Sequence, residues 1–166
     1  ARALARDPDN AVLLAHGIQA ETMEGHIDRA IALADQMLKV QPASHLSRLV
    51  LGMAAFKAEQ FKDALGHLKA AGTGPIGDLV ATMTSAWVHQ AMGNTDEALE
   101  TIDRLRASDG AMSYLRYHKA LLADVGGRTS DARQQFERIF KDDPRSLRVT
   151  LAFAHHLGAS GDAKQA

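Results

Sequence analysis

The sequence contains no cysteine, and this absence excludes disulfides, cysteine-ligated zinc sites and cysteine nucleophiles. A strong charge of one sign is also missing, because 19 Lys and Arg are balanced by 20 Asp and Glu. This balance argues against a basic surface for nucleic acid or for membrane lipids. No apolar run approaches the roughly 18 residues that indicate a membrane-spanning helix, so we expect no membrane insertion.

Motifs that would carry catalysis or hold a metal are missing as well. The chain has eight histidines but no His-x3-His or His-Glu-x2-His spacing, which a zinc site on one helix would need. It has no glycine-rich phosphate loop, no nucleophile elbow and no Ser/His/Asp signature. The sequence therefore predicts a protein without catalytic residues, metal ligands or cofactors.

What the sequence does contain is a period of 34 residues. An alanine recurs at this interval, at Ala30, Ala64, Ala98, Ala132 and Ala166. A second column stands five residues before each of these alanines and consists of Gly25, Glu59, Gly93, Gly127 and Gly161. A third column, twelve residues after the alanines, is rich in Pro and Gly and holds Pro42, Ile76 beside Pro75, Gly110 and Pro144. Three columns in one register indicate stacked repeats. We name the first two the alanine column and the turn column.

A 34-residue unit with two helices resembles the tetratricopeptide repeat. The stretch "LSRLVLGMAAFKAEQFKDALGHLKAA" carries the resemblance best. Its Leu51-Gly52 pair matches the Leu-Gly of the family pattern, Ala64 matches the recurring alanine, and Leu68 takes the aromatic position. The resemblance covers the whole chain and implies an all-α fold, a right-handed α-solenoid of stacked antiparallel helix pairs.

We predict a single solenoid domain over residues 1–166. The repeats are predicted at 11–44, 45–78, 79–112 and 113–146, with the tail of an earlier repeat at 1–10 and a partial fifth repeat at 147–166. Because the first residue is Ala1 and not Met, we expect a fragment of a longer chain.

Each repeat is expected to consist of two helices joined by the turn column. In repeat three the first helix is predicted at 79–92, and Gly93 ends it because glycine tolerates the left-handed conformation after a helix. Asn94 or Thr95 is expected to cap the second helix, which is predicted to continue to about Ala107. The alanine column then lies where the two helices cross, and small residues there allow a close approach.

One join between repeats is irregular. The stretch "AAGTGPIGD" contains Gly72, Gly74, Pro75 and Gly77, which predict a loop after the second helix of repeat two. Two interpretations remain open, a tolerated loop or a hinge between repeats 1–2 and repeats 3–4.

The resemblance also implies a binding surface, because related proteins bind a peptide or a partner helix in the concave groove lined by their first helices. By matching positions, the predicted groove residues are Met53, Phe56, Met83, Trp87, Gln90, Tyr114, Tyr117, Leu121 and Asp124. The set includes the single Trp and both Tyr, residue types that are enriched at binding hot spots. Two alternatives are that these side chains form the core between repeats, or that segments missing from this sequence fill the groove.

The predicted function is a non-catalytic scaffold for protein–protein interaction, with a partner protein or peptide that offers an apolar segment. Some relatives grip the carboxylate of a chaperone with Lys, Asn and Arg, but the matching positions here are largely apolar. One alternative is the recognition or regulatory region of a larger enzyme or of a bacterial envelope-assembly machine. Another is self-association through the repeat ends, where Leu151, Phe153 and Leu157 would lack a covering helix. The sequence assigns neither the cytoplasm nor the periplasm.

Overall fold

The computed structural model describes residues 4–72, 74–105 and 109–161, and in these ranges every regular element is an α-helix. The predicted all-α solenoid of helix pairs is therefore confirmed. The helices are α1 (Ala11–Met23), α2 (Ile27–Val40), α3 (His45–Lys57), α4 (Phe61–Ala71), α5 (Gly74–Ala91), α6 (Thr95–Asp103), α7 (Asp109–Val125), α8 (Thr129–Asp142) and α9 (Leu147–Ala159). None of the described helices combines the length and the hydropathy needed to cross a bilayer.

The chain folds as two compact units, Ala1–Val88 and His89–Ala166, and the division falls inside α5. In unit 1 the helices α1 to α4 pack successively, each on the next. In unit 2 the same succession runs from α6 to α9, and α7 also contacts α9. Each unit therefore buries its core by stacking neighbouring helices, as repeat proteins do.

The join between α4 and α5 differs from the prediction. Helix α4 ends at Ala71 as expected, but α5 already begins at Gly74. Pro75 and Gly77 therefore lie in the first turns of α5 and not in a loop. A proline is tolerated there because the first N–H groups of a helix have no intrahelical acceptor.

The alanine column lies in the core of the helix pairs. Ala30, Ala64, Ala98 and Ala132 are each 0% exposed, whereas Ala166 lies outside the described residues. In unit 1 the helices α3 and α4 come close opposite this column, because a Cβ built on Gly52 would lie 3.0 Å from Cγ of Leu68. Full burial beside a close helix crossing favours a small side chain in this column.

The turn column is left-handed at every position. The φ angles are 79° at Gly25, 59° at Glu59, 80° at Gly93, 73° at Gly127 and 88° at Gly161. At the repeat-three turn, the N–H of Gly93 donates to the carbonyl of Gln90 and the N–H of Asn94 donates to the carbonyl of His89, both at 2.9 Å. The turns at Gly25, Glu59 and Gly127 repeat the same pair of bonds, which defines the Schellman motif. The same two main-chain hydrogen bonds therefore close each of these four turns.

The predicted cap of the second helix is wrong. Asn94 occupies the N-cap position of α6, but its side chain makes no capping hydrogen bond. The reason lies in the backbone, since the ψ of Asn94 is 67°, whereas Asn10 caps α1 from an extended conformation with ψ of 110°. The predicted length is also wrong, because α6 ends at Asp103. Ala107 lies outside the described residues.

Glu59 is the one residue of the turn column whose backbone is strained, because a left-handed φ costs a residue with a Cβ roughly 1–2 kcal/mol. We expect Glu59→Gly to raise the free energy of unfolding by about 1 kcal/mol, part of the strain being offset by the extra backbone entropy of glycine. Urea unfolding followed by circular dichroism measures the change. Glu59→Gln is the matched control, since it removes the charge and keeps the Cβ, and it should unfold like the wild type. Equal midpoints for the Gly and Gln variants would contradict the strain.

Candidate functional site

The predicted groove residues are divided between the two units, so we describe each group by itself. Unit 1 contains Met53, Phe56, Met83 and Trp87. Unit 2 contains Gln90, Tyr114, Tyr117, Leu121 and Asp124. Their joint role in binding a partner stays a prediction.

In unit 1 the predicted residues differ in exposure. Met53 on α3 is 51% exposed and Trp87 is half-buried. Phe56 packs against the core formed by α3, α4 and α5, and its ring lies 6.3 Å from that of Phe61. Met83 is only 5% exposed, which fits the alternative that this position belongs to the core. Met53 is therefore the member of this group with the largest open surface.

In unit 2 the two tyrosines form an aromatic cluster with a histidine that the sequence analysis did not single out. Tyr114, Tyr117 and His118 lie within two turns of α7, at spacings that place them on one side of the helix. The His118 ring centroid lies 4.4 Å from Tyr114 and 5.7 Å from Tyr117, and both pairs meet edge to face. Tyr114 is 41% exposed, so one edge of the cluster faces solvent.

Burial lowers the pKa of His118, and the Arg148 guanidinium lowers it further. Both effects disfavour the charged imidazolium, so the ring is neutral at neutral pH. The aromatic cluster therefore adds apolar surface to the site without adding a positive charge.

An arginine on the next first helix completes this surface. The guanidinium carbon of Arg148 on α9 lies 5.8 Å from the centroid of the Tyr117 ring, a cation–π distance. Arg148 stands one 34-residue period after Tyr114, so the repeat register is the signal that places the two side by side.

The two tyrosines and Arg148 line a cavity of about 400 Å³, which we name the α7/α9 cavity. Its lining comes from α7, α9, the end of α8 and the turn before α9. The residues are Ser113, Tyr114, Arg116, Tyr117, Ile139, Asp142, Asp143, Ser146, Arg148 and Val149. The cavity lies wholly within unit 2 and contains two of the predicted groove residues.

Hydrogen bonds and ion pairs occupy most of the charged groups in this lining. Arg116 lies 3.4 Å from Asp142, and an Asp143 oxygen accepts the backbone N–H of Arg145 at 3.3 Å. Within the described residues Arg148 forms no ion pair with a carboxylate, and its guanidinium lies over the Tyr117 ring and close enough to His118 to lower the pKa of that ring. The cavity therefore combines an aromatic wall with one guanidinium whose charge is not compensated by a described carboxylate.

The remaining predicted residues of unit 2 make contacts within the chain. Leu121 packs against the core of α7, α8 and α9. Asp124 accepts a hydrogen bond of 2.6 Å from Nδ1 of His156, which is 1% exposed. Gln90 is half-buried, and its Oε1 has no hydrogen-bond partner among the described residues. The Asp124 side chain thus joins α7 to α9, a structural role that the sequence analysis missed.

One group of possible metal ligands occurs in unit 1. Side-chain ligand atoms of Glu21, Glu24 and His26 lie within 4.8 Å of one another at the first turn. Glu21 also lies 3.7 Å from Arg29, and both Glu24 and His26 are exposed. Ion pairing and hydrogen bonding at the surface explain this group, so we assign no metal to it.

Comparison with known proteins identifies the repeats. The tetratricopeptide repeat family model matches residues 24–75 and 83–146. The chain is 30% identical over 146 residues to the cellulose synthase operon protein C of Xanthomonas axonopodis pv. citri (strain 306). That match covers 83% of this chain and 10% of the relative, so the chain spans about a tenth of the length of that protein.

Solved structures show the same fold at lower identity. YrrB, described as a TPR protein with an unusual peptide-binding site, superimposes with a TM-score of 0.68 at 15% identity, covering 97% of this chain and 83% of YrrB. MamA superimposes with a TM-score of 0.67 at 17% identity, covering 93% of this chain and 85% of MamA. The fold is typically a non-catalytic interaction module with protein or peptide partners. The repeat columns, the helix pairs and the family match together show that the chain belongs to the tetratricopeptide repeat family.

Proposed function

We propose that this chain is a non-catalytic interaction module that binds a segment of a partner protein in the α7/α9 cavity. The observation that carries the proposal is the exposed edge of the Tyr114–Tyr117–His118 cluster at a cavity of about 400 Å³. Pockets of roughly 300–1,000 Å³ with apolar walls and a few polar groups are typical of binding sites.

The chemistry of the lining supports a peptide as the ligand. Tyrosine offers a rigid apolar surface and a hydroxyl group, and it loses little conformational entropy on binding. Ile139 and Val149 add apolar surface, while Ser113 and Ser146 add groups that can hydrogen-bond to a peptide backbone. An apolar side chain of a partner segment, held by polar groups at the rim, fits this combination.

We expect Tyr114→Ala to weaken the binding of a partner peptide about tenfold, because it removes an aromatic contact at the open edge of the cavity. The probe is the set of peptides that the wild-type chain enriches from a random library displayed on phage. Fluorescence anisotropy of labelled synthetic copies gives the dissociation constants.

Val125→Ala is the matched control for this experiment. Val125 is also an exposed apolar residue of α7, but it lies outside the cavity lining. Its variant should bind the peptides as the wild type does. If Tyr114→Ala binds them equally well, the cavity is not the binding site and the proposal fails.

A second candidate function follows from the match to the cellulose synthase operon protein. On this proposal the chain is the recognition region of a much longer protein that belongs to an assembly machine of that kind. The discriminating observation is the sequence of the full-length protein. A catalytic or transport domain would appear there as a loss of the 34-residue register.

A further inference from the structure

We infer that the ligand of the α7/α9 cavity carries one acidic side chain, Asp or Glu, that pairs with Arg148, and an adjacent apolar side chain that packs on Tyr114 and Tyr117. The inference rests on the proposed function, because it specifies the chemistry of the segment bound at the same site. The proposed function requires only an apolar side chain in the ligand, and the inference adds one negative charge at a defined position.

The first argument is the position of Arg148. Its guanidinium lies over the Tyr117 ring at 5.8 Å, so the aromatic face restrains the side chain before any ligand binds. An arginine stacked in this way keeps the N–H donors at the edge of its guanidinium plane available. Those donors form a planar fork that matches a carboxylate with two parallel hydrogen bonds.

The second argument is the balance of charge around the cavity. Arg116 already lies 3.4 Å from Asp142, so its charge is compensated within the chain. Among the described lining residues, Arg148 is the cation that lacks such a carboxylate. Asp143 also lines the cavity and repels any carboxylate that enters, and Arg148 is the single described lining cation that can offset this repulsion. The arrangement therefore fits a segment with one carboxylate rather than an acidic run.

The third argument is the surface beside the guanidinium. The neighbouring wall contains the rings of Tyr114 and Tyr117, and Tyr114 is held in edge-to-face contact with His118 at 4.4 Å between centroids. A carboxylate held by Arg148 would have apolar surface on its α7 side, so the residue next to the acidic one is expected to be aliphatic or aromatic. The cavity of about 400 Å³ accommodates the side chains of a short extended segment.

The test is a comparison of peptide preferences between charge variants. The same random phage library is selected on the wild type, Arg148→Glu and Arg148→Gln. The enriched peptides are then synthesised with acetylated and amidated ends. The wild type should enrich Asp or Glu beside an apolar residue, and Arg148→Glu should enrich Lys or Arg at the same position. Replacing the acidic residue of a wild-type peptide by its amide should weaken binding to the wild type about tenfold and leave binding to Arg148→Gln unchanged.

Arg145→Glu is the matched control, because it makes the same charge change three residues earlier and outside the cavity lining. This variant should still enrich peptides with Asp or Glu. That result would show that the preference depends on an ion pair with Arg148 and not on the net charge of the chain. Higher salt should reduce the acidic preference of the wild type, since salt screens an exposed ion pair.

The outcomes separate this inference from the function on which it rests. If Tyr114→Ala weakens binding but the selected peptides show no acidic preference, the function stands and the inference is overturned. If amidated peptides fail and free carboxyl-terminal ones bind, the site recognises a chain end, which also overturns the inference. If Tyr114→Ala binds the enriched peptides as the wild type does, or if no peptide is enriched at all, both the proposed function and the inference fail.

Discussion

Phe136→Ala is expected to lower the free energy of unfolding by about 3–5 kcal/mol, the largest effect that we predict for a single substitution. Phe136 on α8 is fully buried in the core of unit 2. Its ring stacks on Phe153 at 5.9 Å between centroids and lies 5.6 Å from the ring of His156. The truncation would leave a cavity between helices that cannot collapse far, because Ala120 and Ala132 already bring α7 and α8 together.

Urea unfolding followed by circular dichroism measures this loss. Leu147→Ala is the control, since it also removes a large apolar side chain in unit 2, but one that is mostly exposed, and it should change stability little. The same core supports the α7/α9 cavity, because Tyr117 packs against it and Val149 belongs to both. A Phe136→Ala variant as stable as the Leu147→Ala variant would show that unit 2 is not packed as described.

Ala64→Leu is expected to destabilise the chain by about 1–3 kcal/mol, because it overpacks the crossing of α3 and α4. Ala64 is fully buried and belongs to the core that also contains Ala55 and Leu68. One turn away, Gly52 on the facing helix approaches Leu68 of the same core so closely that a Cβ there would lie 3.0 Å from Leu68. Three additional carbon atoms at Ala64 must therefore push the helices apart or adopt a strained rotamer.

The control for Ala64→Leu lies on the same helix. Ala70→Leu adds the same atoms at an exposed position of α4, where leucine is nearly as good a helix former as alanine. Thermal melts give the melting temperatures of the two variants. Ala70→Leu reports the effect of helix propensity alone, and the further loss in Ala64→Leu reports the overpacking. A melting temperature of Ala64→Leu equal to that of Ala70→Leu would contradict the crossing at this residue.

The features that could be predicted from the sequence are those that one residue type determines locally. The turn column is such a feature at its glycines, because only glycine adopts a left-handed φ without cost, whereas Glu59 departs from the glycine pattern and still adopts the same conformation. The alanine column is another, since a closely packed crossing requires a small side chain whatever surrounds it. Repetition then makes each local signal visible several times.

The features that could not be predicted depend on how neighbouring helices are rotated. The bond between Asp124 and His156 and the stacking of Arg148 on Tyr117 each join residues on two first helices of neighbouring repeats. Sequence spacing places such residues near each other but does not determine which side chains meet. The lack of a capping bond at Asn94 could not be predicted either. It depends on the backbone angle ψ of Asn94, which the preceding turn determines, and not on the type of its side chain.

The turns closed by main-chain groups have a consequence for how this chain could evolve. The residue after each turn glycine or glutamate is the N-cap of the second helix, and in the four described cases it is His26, Gln60, Asn94 and Arg128. Four unrelated side chains serve equally because none of them makes a capping bond. A duplicated unit therefore needs a left-handed φ at one position of this turn, and its N-cap residue can change without the loss of a capping bond.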